Sequence, residues 1–314
     1  MMRAYPTTES TLPWKHWSAE RTGIALAILA AAGFSSKAIF VKLGYAYPVS
    51  AVTLLALRMA MSLPFFMWVA ARSHAGAIRI GAGDAARLVV LGLLGYYGAS
   101  ILDFIGLQYI SAGLERLILF VYPTLTVLIG VLFQGQRVGR REVGAIVLCY
   151  LGIAFAFAHD LSFSDNSRDI WIGGAFVFGS ALSYALYLSG SASMITRLGS
   201  ARFTALAMLV SSGATLLHFV IEQPLTALVQ PLPVYVISLG MAVFSTVLPV
   251  FAQSAAIRQL GSGRAVLIGS LGPVMTIGLG WLVLNESISL AQIGGAAMVM
   301  GGVLLVGRAR KPTP

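Results

Sequence analysis

The chain has 314 residues, 58% of them hydrophobic and 10% charged, at a mean hydropathy of +0.85. Soluble domains carry about 25% charged residues, so a water-soluble fold is excluded and lipid is the solvent for most of this chain. The formal net charge of +10 is spread over short segments between apolar runs, which speaks against a nucleic-acid partner and marks membrane topology instead.

A spanning helix needs about 20 apolar residues. Ten such runs follow one another: 22–44, 50–71, 86–108, 112–133, 142–159, 170–195, 200–221, 234–257, 264–284 and 288–307. All are expected to be helical, because lipid leaves an isolated segment no other way to satisfy its backbone. The first run follows Lys15 and Arg21, and its AILAAAGFSS stretch resembles a signal-peptide cleavage site. It is kept as a span because it has a partner in the second half of the chain. Cys149, the single cysteine, lies inside the fifth run. That excludes a disulfide framework or a cysteine-based metal site and leaves a packing role. No cofactor is implied.

The loops set the orientation. Arg3, Lys15 and Arg21 precede the first run, and Arg72, Arg79 and Arg87 follow the second. Arg137, Arg140 and Arg141, then Arg197 and Arg202, Arg258 and Arg264, and Arg308, Arg310 and Lys311 continue the series at every second loop. The loops between hold almost no Lys or Arg; the longest, HDLSFSDNSRD, sets Asp160, Asp165 and Asp169 against Arg168. The positive-inside rule puts both termini in the cytoplasm.

An internal repeat appears at an offset of 150 residues. Residues 111–152 lie over 261–302 without a gap, so that Gly113 meets Gly263, Pro123 meets Pro273, Thr126 meets Thr276, Gly130 meets Gly280, Gly144 meets Gly294 and Gly152 meets Gly302. Gly23 and Ala31 of the first run meet Gly173 and Ala181 of the sixth. Matched Pro and Gly at one constant offset are far less easily produced by chance than Leu on Leu. A unit of five helices turns the second copy upside down, and the basic loop QRVGRRE has the counterpart ESISLAQ, which lacks Lys and Arg. The predicted fold is an all-α polytopic membrane protein of ten transmembrane helices, two inverted five-helix repeats around a central cavity. Its parts are a cytoplasmic segment 1–21, a first repeat 22–159, an extracytoplasmic loop 160–169, a second repeat 170–307 and a cytoplasmic tail 308–314. Inverted repeats with a midplane site are the architecture of secondary transporters. Pro123 and Pro273 each remove a hydrogen bond in mid-span, as do Pro64 and Pro249; the matched pair suggests a hinge.

Lys37, Arg58 and Asp103 stand inside apolar runs. At 1.5 Å per residue they lie roughly 6, 3 and 7 Å outward of their helix centres, in one slab. Each would cost about 2.5–3.5 kcal/mol facing lipid, so they are expected to face one another or a wet cavity. Snorkelling serves Lys37 poorly, because helical side chains lean toward the N-terminus. Arg58 and Asp103 as a structural pair is the competing reading. Lys42, Glu115 and Arg116 read as lying near outer helix ends. The positions matched to Lys37, Arg58 and Asp103 hold Tyr187, Met208 and Gln253. Two cations and one anion leave room for a bound carboxylate, with Tyr96, Tyr97, Tyr184 and Tyr187 available to stack on it or to pack as ordinary aromatics. Lys37, Arg58, Asp103, Tyr97, Tyr187 and Gln253 are the candidate substrate residues, and Pro123 and Pro273 the candidate hinges.

The stretches GFSSKAIFVKLG, LALRMAMSLP, ISAGLERLILFVYPTLTVLIG and LNESISLAQIGGAAMVMGGVLLV resemble the EamA family of the drug/metabolite transporter superfamily, over nearly the whole chain as two tandem units. The resemblance implies ten helices in two inverted units and a metabolite transporter of the bacterial inner membrane, often an exporter of amino acids, YddG-type aromatic amino-acid exporters included. It also implies peripheral fifth and tenth helices, sometimes at a dimer contact, where Gly144, Gly152, Gly294 and Gly302 permit close packing. The acidic residue that the family carries after its fourth and ninth helices is present as Glu286 and replaced by Gln136. Glu286 reads as a helix cap.

An intramembrane enzyme needs a nucleophile with a base, or a metal cluster. No HExxH is present, and of His16, His74, His159 and His218 only His218 lies deep in a run. A channel or a carrier of nucleotide-, sugar- or vitamin-like solutes remains the alternative to amino-acid export. The energy source is open between proton carriage by Asp103 and Glu115 and facilitated export. The expected partners are a small-molecule substrate and the bilayer, in a monomer or weak homodimer.

Overall fold

The computed structural model describes residues 19–73, 80–135, 139–163 and 166–309. Arg3, Lys15, His16, His74, Arg79, Gln136, Arg137, Asp165, Arg310 and Lys311 lie outside the described residues. Every regular element described is helical. In order they are α1 (Ala19–Gly44), α2 (Ala51–Arg72), α3 (Ala82–Gly92), a π-helical stretch Leu93–Gly98, α4 (Ala99–Gly106), α5 (Ala112–Leu119), α6 (Tyr122–Gln134) and α7 (Arg140–Phe163). There follow α8 (Ser167–Leu198), α9 (Ser200–Glu222), α10 (Leu232–Ala242), a second π-helical stretch Val243–Val247, α11 (Leu248–Leu260), α12 (Ser262–Gly269), α13 (Gly272–Leu284) and α14 (Leu290–Ala309). Among the described residues, eight helical segments are long and apolar enough to cross a membrane, the last of them Leu232–Leu260. The ninth predicted run is divided between α12 and α13, and the tenth is α14.

The element series repeats at the offset seen in the sequence. Each half has a π-helical stretch at the same register, Leu93–Gly98 and Val243–Val247, and each has a divided helix, α5–α6 and α12–α13. The divided helices end alike, in left-handed caps at Gly135 (φ 65°) and Asn285 (φ 55°). Pro123 and Pro273 stand in the first turn of α6 and α13. The sequence reading has them removing mid-span hydrogen bonds. The structure instead interrupts both spans just before them, and a first-turn N–H needs no helical partner.

Packing joins the halves. α2 lies on α9 and α7 on α14; α1 lies on α11 and α13, as its counterpart α8 lies on α4 and α6. At α7–α14 the backbones touch: a Cβ on Gly152 would sit 2.7 Å from the Gly295 carbonyl, and one on Gly302 would collide with the Cys149 sulfur. The Cys149 thiol donates to the Val299 carbonyl at 3.6 Å. The small residues assigned to a possible dimer contact thus serve, at Gly152 and Gly302, a contact within the chain. The match is incomplete at the divided helices. α5 lies against α13 and α1, whereas its counterpart α12 makes no comparable contact with α6 or α8 among the described residues. The outer surface carries Trp171, Leu217, Trp281 and Leu290 more than half exposed, the dressing of a lipid-facing protein.

Candidate functional site

α1, α4 and α5 converge on one charged cluster. The Lys37 Nζ lies 2.6 Å from Asp103 Oδ2 and 3.5 Å from Glu115 Oε1. The lysine side chain is 17% accessible, and the two carboxylates are 1% and 0%. An ammonium between two sealed carboxylates offsets their desolvation and ties three helices together. Beside it, the Tyr45 hydroxyl donates to the Phe104 carbonyl at 2.6 Å. Burial, and then the Asp103 charge, push that phenol up, so it stays a donor.

Asp103 therefore pairs with Lys37, and not with Arg58 as the competing reading had it. Arg58 is also buried, but its Nε donates to Thr246 Oγ1 at 2.9 Å and its guanidinium stands 5.7 Å from the Phe104 ring centroid. Thr246 belongs to the second π-helical stretch. The matched position in the first, Tyr96, accepts a hydrogen bond from the Tyr187 hydroxyl at 3.2 Å. Both wide turns thus present a hydroxyl to the opposite half, in keeping with the placement of π-bulges at functional positions.

The remaining candidates are dispersed. The Tyr97 hydroxyl lies 3.0 Å from His218 Nδ1, and the other ring nitrogen of His218 lies 2.7 Å from Glu222. Tyr187 is buried among Leu88, Leu91, Met194 and Phe203. Gln253 is half-buried and makes no hydrogen bond among the described residues. Two clefts of about 400 and 380 Å³ lie on the flanks, one bordered by Arg87 and Gly190, the other by Leu57 and Leu228. Neither is lined by Lys37, Arg58 or Asp103.

Three participants were not among the candidate substrate residues. Glu115 and Arg116, placed near an outer helix end, are 0% and 8% exposed. Thr246 carried no charge to draw attention. The signal for the first two was present in LERLILF, two ionised residues flanked by leucines on a segment soon broken by proline. Glu286 does cap a helix, but in the other half: its Oε1 accepts from the Ala112 N–H at 3.0 Å, beside Ser111, whose hydroxyl accepts from Leu114 N at 3.1 Å.

The model of the EamA-like transporter family matches the sequence twice, over residues 21–158 and 171–308. The uncharacterized transporter YcbK of Bacillus subtilis is 28% identical over 285 residues, covering 87% of each chain. The uncharacterized transporter YyaM of the same organism is 25% identical over 70% of this chain and 72% of its own. A Synechocystis relative, the uncharacterized transporter sll1319, is 24% identical over 66% of this chain and 62% of its own. A solved crystal structure shares the fold with a TM-score of 0.63, at 16% identity, over 91% of this chain and 96% of its own.

Proposed function

The chain belongs to the EamA-like transporter family and is a multi-pass membrane transporter, a non-enzymatic class, and from that premise we propose that it exports amino acids or related carboxylate-bearing solutes by alternating access. The spans number ten, in two inverted units, with both termini in the cytoplasm of a bacterial inner membrane. Lys37, Arg58 and Asp103 border the central path, and the breaks before Pro123 and Pro273 are its hinges.

The observation that carries this reading is the unequal packing of the divided helices. In the proposed orientation α5 and α13 are the outer halves of the fourth and ninth spans, and their contact seals the outer side. α6 and α12 are the inner halves of the same spans, and among the described residues they make no comparable contact. Two equivalent gates in unequal states are what alternating access requires. A carboxylate substrate is supported by charge: Lys37, Arg58 and Arg116 are set against Asp103 and Glu115, an excess of one cation that an anion would balance.

The test is counterflow in proteoliposomes with a labelled amino-acid panel. Saturable exchange of a carboxylate-bearing solute is expected. Linear, unsaturable flux would assign a channel and overturn the proposal.

A further inference from the structure

The guanidinium of Arg116 is almost sealed, at 8% exposure. It forms no hydrogen bond or ion pair among the described residues, and its Nε is buried without a partner. The adjacent carboxylate, Glu115, is turned to Lys37 instead. A charge held this way in a membrane interior is costly unless something binds it. The guanidinium stacks on Phe120, 5.0 Å from the ring centroid. It also reaches the break in the ninth span, where a Cβ on Gly272 would lie 2.9 Å from an Nη atom. Glycine at that position makes room for it.

From Phe120 the aromatic contacts continue without a gap. Phe120 meets Tyr122 at 5.8 Å, Tyr122 meets Tyr184 edge-on at 5.0 Å, Tyr184 stacks on Tyr187 at 5.7 Å, and Tyr187 stacks on Phe203 at 6.0 Å. Tyr122 and Tyr184 keep part of their surface uncovered. Phe203 stands in the first turn of α9, at the end that the proposed orientation puts in the cytoplasm.

We propose that Arg116 is the anion-binding residue of the transport path and that it takes the carboxylate of a monoanion with a flat apolar body, which rests on the uncovered surface of Tyr122 and Tyr184. The substrate needs no ammonium group. Both carboxylates of the site already face Lys37, so a substrate ammonium would have to compete with it. A guanidinium binds a carboxylate through paired hydrogen bonds, and tyrosine faces receive a planar body. The inference rests on the transporter reading and narrows its substrate to organic acids rather than zwitterions.

The experiment uses purified full-length protein, with phenylacetate, L-phenylalanine and phenethylamine as probes. Thermal stabilisation of the solubilised protein and counterflow inhibition in proteoliposomes are measured side by side. Phenylacetate is expected to stabilise the wild type and inhibit, phenethylamine to do neither. Arg116→Gln should weaken phenylacetate binding by roughly 10- to 100-fold while retaining a monodisperse gel-filtration profile. If that variant fails to fold, Gly272→Ala, which crowds the guanidinium, should weaken phenylacetate without changing the size profile. Unchanged phenylacetate affinity in the folded variant, or binding of phenylalanine without phenylacetate, overturns the inference. If the wild type exchanges amino acids saturably and ignores phenylacetate, this inference fails and the transporter reading survives. If it exchanges no solute at all, the transporter reading fails too.

Discussion

At the residue scale the charges divide by partner. Lys37 holds two sealed carboxylates, so its loss leaves both uncompensated. Lys37→Gln should destabilise the protein by about 3–5 kcal/mol. The double variant Lys37→Gln/Glu115→Gln should regain a large part of that, because one buried charge goes with the other. Thermal unfolding of the single and double variants measures the coupling, and additive losses would refute the triad. Arg58 hangs on one hydroxyl, Thr246 Oγ1. Thr246→Val should cost about 1–3 kcal/mol, read in the same melts. Lys37 and Asp103 were legible in the sequence because an ionised residue stands out within an apolar run. Glu115 and Arg116 stood out in the same way, but their place near a helix end hid their burial, because sequence position does not show that α13 packs over the start of α5. The partner of Tyr97 was not legible either, since it sits in a π-helical stretch, where the turn is wider than 3.6 residues, and turns to His218.

At the element scale the proposed outer gate has a bolt that the proposed inner gate does not repeat in sequence. The Glu286 carboxylate bonds the Ala112 N–H of α5 across the two halves. Its turn is tight: a Cβ on Gly280 would lie 2.9 Å from Glu286 Oε2, and the Glu286 N–H donates to the Gly280 carbonyl at 3.1 Å. The matched position is Gln136, neutral and outside the described residues. Glu286→Ala should cost about 1 kcal/mol, the scale of a lost helix cap, and loosen the contact of α5 with α13. A cysteine at Gly113 should then react several-fold faster with a membrane-impermeant thiol reagent, and an unchanged rate would show that the carboxylate does not hold the gate. The α7–α14 seam makes a second prediction. Gly152→Leu has no space against the Gly295 carbonyl and should lower the melting temperature, by about 1–3 kcal/mol of overpacking strain. The repeat was readable from matched Pro and Gly. The π-helical stretches were not, since periodicity alone carries no mark of one extra residue in a turn.

For the whole molecule, composition alone excluded a soluble fold, and a 150-residue offset anticipated the pairing of elements. What composition and repeat could not anticipate is the difference between two halves of like sequence. Only packing reveals that α5 meets α13 where α12 makes no comparable contact with α6 among the described residues. The central claim is that these two contacts exchange. Cross-linking tests it most directly, in a Cys149→Ala background. A Cβ on Gly113 would lie 3.4 Å from the Ile277 side chain, so Gly113→Cys/Ile277→Cys should form a disulfide at rest and block counterflow until reduced. The repeat-matched pair, Val127→Cys/Gly263→Cys, should cross-link only when a transported solute is present. Disulfides at both pairs in the same molecules, or free counterflow through a fully cross-linked Gly113→Cys/Ile277→Cys protein, would contradict alternating access.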